Sequence, residues 1–314
     1  MTASKLLRHE TILAVLTIIA LAVLASLSDK FFTAENLLNQ GRLMSEVGLV
    51  ALAMTFVIVT GGIDLSVGSI LGLTAILLGV FWKNLGLPLP LAIAGALACG
   101  TFAGWVNGFI ITRFSVPPLI ATLATLALYR GLAEGISEAR SVRGYPEWFY
   151  VFGQGEILGV PFQLWILGIA TVVSAVILGL TPFGRATYAI GANETAARFS
   201  GIRVHATKLW IYTAAGFVSA LAAVIFVSRV TTTRSDMGTG LELDVITGVV
   251  LGGTSIFGGR GTIIGTVLGL ILIQALKNGL ALSGVKGDGT IVVIGLVLIG
   301  AILIGAMFDK NRGG

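Results

Sequence analysis

A chain of 314 residues that is 55% hydrophobic and 11% charged, with a mean hydropathy of +0.97, does not fold as a soluble globule, since soluble domains carry about a quarter charged residues. Its net charge of +5 is scattered without a basic run, which argues against nucleic acid as a partner. The lone Cys99 and the two widely separated histidines, His9 and His205, leave no intrachain disulfide and no zinc ligand set. What remains is an all-α integral membrane protein, read as a single transmembrane domain over 1–314.

Apolar runs between polar breaks predict about ten transmembrane helices, each needing about 20 residues. They centre on 11–27, 44–60, 66–82, 89–111, 117–135, 162–180, 208–229, 243–257, 262–280 and 290–307. The first follows Lys5 and Arg8 as a secretory signal would, but no small-residue cleavage site leads out of it, so it reads as an uncleaved helix. The eighth is short and glycine-rich, which suggests a broken or re-entrant segment. An even number of spans places both termini on one side. The 20 Lys and Arg residues divide evenly between the two sides, so the positive-inside rule does not choose the orientation.

The second and third spans are joined by Gly61-Gly62-Ile63-Asp64-Leu65-Ser66-Val67-Gly68-Ser69-Ile70-Leu71-Gly72-Leu73. This stretch aligns with Gly258-Gly259-Arg260-Gly261-Thr262-Ile263-Ile264-Gly265-Thr266-Val267-Leu268-Gly269-Leu270, and six of the 13 positions are identical. Each is a Gly-Gly break followed by a helix rich in small residues. Broken apolar segments in corresponding halves of a membrane protein point to a transport pathway, because freed backbone groups persist only where protein or water satisfies them. Asp64 is ionisable and flanked by apolar runs, so it reads either as a pathway residue or, with Ser66, as the cap of the next helix. A proton relay would need further mid-span carboxylates, and none is clearly placed. Gly68-x-x-x-Gly72 and Gly265-x-x-x-Gly269 allow close packing.

Asn107 beside Trp105 in the fourth span, and Gln274 and Asn278 in the ninth, offer amides to solute hydroxyls or to neighbouring helices. The 137–161 loop carries Tyr145, Trp148, Phe149 and Tyr150, which suit an interfacial lid or a docking surface for an external partner. In the 182–208 loop, Asn193 can cap a helix over 194–200, Glu194 suits its positive end and Gly201 can close it. Such a helix is too short to stand alone in water. It must pack on its own chain or on a partner. Neither a Gly-x-x-x-x-Gly-Lys-Ser/Thr phosphate loop nor a Gly-x-Ser-x-Gly elbow is present.

Three segments carry a resemblance: Gly61–Ser69, Gly191–Ile202 and Val249–Gly261. In that order they resemble the signature segments of bacterial ABC sugar-importer permeases of the ribose/xylose/rhamnose type, a likeness extending from about residue 10 to residue 307. The resemblance implies a type II-like permease in the bacterial inner membrane with both termini cytoplasmic. It would move a monosaccharide, or a similar small polyol or furanose, inward by alternating access. The implied partners are an ABC ATPase, a periplasmic sugar-binding protein, a second permease (identical or a paralogue) and the surrounding lipid. ATP and Mg would be bound by the ATPase, leaving this chain without a cofactor, a metal or catalytic residues. Asn193, Glu194, Ala196, Ala197, Arg198, Ser200 and Gly201 match the family's ATPase-coupling segment. The translocation pathway would then involve Asp64, Ser66, Asn107, Gln274 and Asn278, with helix breaks at Gly61, Gly62, Gly258 and Gly259. An ion-driven secondary transporter is the alternative, and a membrane enzyme or structural subunit a more distant one.

Overall fold

The computed structural model describes residues 3–138 and 140–285, and beyond these 287, 289–290, 292–296 and 299. Twelve α-helices are assigned among the described residues: α1 (Ala3–Leu27), α2 (Ala34–Val59), α3 (Val67–Gly79), α4 (Leu89–Arg113), α5 (Pro118–Ser137), α6 (Glu147–Gln154), α7 (Phe162–Leu180), α8 (Pro182–Ala192), α9 (Glu194–Phe199), α10 (Val204–Val230), α11 (Leu241–Leu251) and α12 (Ile263–Leu282). A π turn, Val80–Asn84, prolongs α3, and a two-stranded antiparallel hairpin, β1 (Glu156–Ile157) with β2 (Val160–Pro161), follows α6. Helix starts follow local chemistry. Pro118 and Pro182 occupy the first turn, where a missing N–H costs nothing. Thr33, Thr181 and Thr262 accept from the amides of Asn36, Gly184 and Gly265.

Seven of these helices are long and apolar enough to cross a membrane: α2, α3 with its π turn, α4, α5, α7, α10 and α12. They coincide with seven of the expected spans. The run at 11–27 falls within α1, and that at 290–307 lies largely outside the described residues. The eighth expected span departs most from a simple helix. Its helix, α11, has 11 residues and rises only about 16 Å, half of a bilayer core of about 30 Å. An irregular stretch, 231–240, precedes it.

α2, α3 and α10 form the centre. Val50, Ala51, Met54, Val57 and Ile58 of α2 and Ala215, Ala220, Ala222 and Ala223 of α10 are buried. All but one residue of α3 is buried. α7 instead exposes Ile169, Val172 and Val173, an apolar face suited to lipid.

The bundle has two distinct ends. Lys208, early in α10, reaches Glu194 of α9. At the other end of α10, Ser228 Oγ donates to Phe149 O of α6 at 2.6 Å. The chain returns from that second end through 231–240 and α11. Thr233 N donates to Val142 O, Gly238 lies against Gly68, and Gly259 N reaches Val59 O at the α9 end. The eighth crossing is therefore broken: an irregular first part and a helical second part together traverse the bundle.

A glycine joint, a capped helix and a buried polar cluster

Both Gly-Gly breaks arrive at one point. Gly61, Gly258 and Gly259 have φ of 78°, 85° and 74°, a left-handed backbone open to glycine without steric cost. Gly259 N donates to Val59 O at 2.8 Å. A Cβ on Gly258 would stand 2.8 Å from Gly61 N and 2.9 Å from Gly191 O, and one on Gly191 would collide with Val59 O and Gly259 N. The end of α2, the loop before α12 and the end of α8 thus meet backbone to backbone, without intervening side chains. Gly62 faces inward, where a Cβ would strike the Tyr212 hydroxyl. The sequence identified the two breaks. Their meeting with each other and with Gly191 is a tertiary fact.

From this joint the chain runs directly into α9. Asn193 Oδ1 accepts from Ala196 N at 2.9 Å, and Gly201 closes the turn at φ 82°. Glu194 is held by Lys208 and, at 3.2 Å, by Arg198. Partial burial raises the Glu194 pKa, but Lys208 and then Arg198 outweigh it, so the carboxyl titrates below its ordinary value of 4.5. Ala197 is buried with Ile190 and Val204. It anchors the helix rather than presenting a surface. Ala196, Arg198 and Ser200 are exposed, and Phe199, which the sequence reading omitted, is 90% exposed. An apolar side chain at a loop tip is the signal that was available.

Asp64, Ser66 and Asn107 come together and are each fully buried. Ser66 donates to Asp64 Oδ1 through its amide at 2.9 Å and its hydroxyl at 2.6 Å, and Asn107 Nδ2 donates to Ser66 Oγ at 2.7 Å. Asp64 therefore closes an Asx turn before α3. Ser66 stands at the N-cap position but makes no side-chain cap bond. Asp64 Oδ2, Asn107 Oδ1 and the Tyr212 hydroxyl have no hydrogen-bond partner among the described residues, so the cluster retains unused polar capacity.

Gln274 and Asn278 sit elsewhere. Gln274 Nε2 donates to Gln40 at 2.6 Å, and Asn278 and Asn36 exchange bonds at 2.9 and 3.0 Å. Both amides lock α12 to the first turns of α2, about 30 Å along that helix from Asp64. The sequence also missed charged groups on the spans. Glu46 of α2 is buried against Arg229 at 2.6 Å, and Lys277 meets Asp244 at 2.6 Å. Pairing of this kind is the usual state of ionisable groups at membrane depth.

Broken crossings joined by backbone inside a bundle of apolar helices recur in membrane transporters. The family described as "Branched-chain amino acid transport system / permease component" matches residues 34–307. The chain belongs to that family and is a transport subunit, not an enzyme. It is 43% identical over 296 residues to the ribose import permease protein RbsC of Bacillus subtilis, covering 94% of this chain and 90% of that protein. RbsC of Escherichia coli K12 is 40% identical over 304 residues, covering 94% and 92%. The autoinducer 2 import system permease protein LsrD of Escherichia coli HS is 38% identical over 285 residues, covering 89% and 86%. No solved structure matches the chain.

Proposed function

We propose that this chain is the membrane permease of an ATP-binding-cassette importer that carries a monosaccharide, or a similar small polyol or furanose, into the cytoplasm by alternating access. Ribose is the first solute to test, since ribose import permeases match nearly the whole chain. A separate ATPase supplies the energy and binds ATP and Mg, and an external sugar-binding protein delivers the solute. A second permease, identical or a paralogue, completes the pathway. The protein lies in the bacterial inner membrane with α9 and both termini on the cytoplasmic side.

The observation that carries this reading is the route from α9 to the helix breaks. Force on Phe199 or Arg198 reaches Gly191 through one short capped turn, and from Gly191 it reaches Val59 and Gly259 by backbone contact. α2 and α12 then tilt together, and the α3 and α11 crossings between them rearrange.

The first test is purification from native membranes in mild detergent, with partner masses and ATPase activity measured. A stoichiometric ATPase, lost on substitution of Phe199 and Arg198, supports the reading. A chain that purifies alone and takes up solute against an ion gradient would replace it with the secondary-transporter alternative.

A further inference from the structure

The two broken crossings touch midway through the bundle as well as at its ends. A Cβ on Gly68 would collide with Gly238 O, and a Cβ on Gly238 would collide with Gly68 O. The stretch 231–240 is not helical. Turn bonds pair Arg234 O, Asp236 O, Gly238 O and Gly240 O, and Arg130 of α5 supplies the donor for Ser235 O and Met237 O. Its Nη1 donates to Ser235 O and, at 2.9 Å, to Met237 O, and its Nη2 reaches Gly68 O on α3 at 3.4 Å. One planar guanidinium thus holds carbonyls from both crossings. Its fork of five donors makes such a bridge possible, whereas an ammonium gives a single point of attachment.

Gly72 makes the space. A Cβ there would stand 2.7 Å from Met237 O and 2.8 Å from Arg130 Nη1. The Gly68-x-x-x-Gly72 spacing therefore serves a backbone crossing and an arginine rather than a second helix. Glu242 also lies against Gly68 and balances the guanidinium with Glu134 and Asp236.

We infer that Arg130 is a positioning residue for transport: it rivets the 231–240 segment to the start of α3 so that the two broken crossings move as one when the permease changes state. The inference rests on the permease reading above. Loss of the rivet would leave each crossing free to move separately, and ATP hydrolysis would no longer be converted into solute movement.

The test uses the full chain with its copurified ATPase and binding protein in proteoliposomes, and compares Arg130→Met, Arg130→Lys and Gly72→Ala with wild type. Labelled ribose uptake per assembled complex and binding-protein-stimulated ATPase rate are both measured. Arg130→Met is expected to assemble normally and to lose about tenfold in uptake while still hydrolysing ATP, a size usual for energetic coupling between sites. Arg130→Lys should recover part of it. Gly72→Ala keeps the charge but displaces the guanidinium, so it should show the same uncoupling, and it decides the matter if Arg130→Met does not assemble. Wild-type uptake per complex in Gly72→Ala or Arg130→Met would overturn the inference, as would a fall in uptake that only tracks a fall in assembly. A wild-type complex that hydrolyses ATP but ignores ribose refutes the substrate alone, and the same variants are then compared on uptake of labelled xylose. A wild-type chain with no ATPase refutes the permease reading itself.

Discussion

The two ends of the bundle are built from different materials. At the α9 end, Gly61, Gly191, Gly258 and Gly259 bring three segments together through main-chain atoms. At the α6 end a single glycine, Gly153, sets α6 against the backbone of Ser228 and Arg229, and an aromatic cluster packs beside that contact. Trp82 stacks on Tyr145 with centroids 4.4 Å apart, and Tyr145 and Phe149 lie at 5.0 Å. A main-chain joint has no rotamers and cannot absorb displacement by repacking. An aromatic cluster held by dispersion and burial can slide while keeping most of its contact area. The first arrangement leaves little room for adjustment, whereas the aromatic side chains at the second end can repack. Trp148, 47% exposed beside the buried Phe149, gives α6 the one-sided character expected of a lid at the membrane surface.

Four measurements would break or sharpen that contrast. The largest effect is expected from Gly191→Val, because any Cβ there overlaps Val59 O and Gly259 N. Its complex should be lost from membranes or inactive, while Gly131→Ala, with no described atom within 4 Å of its added Cβ, should behave as wild type. Uptake and complex yield for both variants decide whether the joint is rigid. At the opposite end, Phe149→Ala removes a fully buried ring and should cost about 3 kcal/mol of stability, seen as a lower melting temperature in detergent. Survival of the Gly191 variant alongside collapse of the Phe149 variant would reverse the assignment of the two ends.

The third measurement is smaller and depends on pH. Glu194→Gln should cost at most about 1 kcal/mol, because its side chain is 41% exposed and its ion pairs are solvent-screened. The Glu194 pKa is lowered on folding, so its contribution is present above its ordinary 4.5 and fades as pH falls through the lower folded value. Acid melting curves of wild type and Glu194→Gln should therefore converge below that point and separate above it. The smallest effect on the fold is expected from Phe199→Ser. The ring is 90% exposed, so melting should be unchanged, whereas retention of the ATPase on purification should fall.

Much of this was legible in the chain. The seven long apolar helices, the shortness of the eighth crossing, the capped turn after Asn193 and the two Gly-Gly breaks all follow from local composition and spacing. Arg130 was also visible as an ionisable residue inside an expected span. Its role was not, because the carbonyls it holds lie more than 100 residues further on. Gln274 and Asn278 show the reverse case. Their polarity left a pathway and a helix–helix role both open, and the partners they have are Gln40 and Asn36.

The sequence by itself determined that the chain is an integral membrane protein of many helices, where those helices break, and which family it belongs to. These are properties of composition and short-range order, since an apolar run, a proline or a Gly-Gly pair acts on its immediate backbone whatever lies beyond it. Only the tertiary structure decided that the two breaks and Gly191 form one joint, that Ala197 faces inward while Phe199 faces out, and that Asp64 closes a buried turn with Ser66 and Asn107. Those facts depend on which distant segments share a volume. Glycine leaves no side chain from which its partner can be read, so contacts made by backbone atoms stay silent in the sequence until the chain is folded.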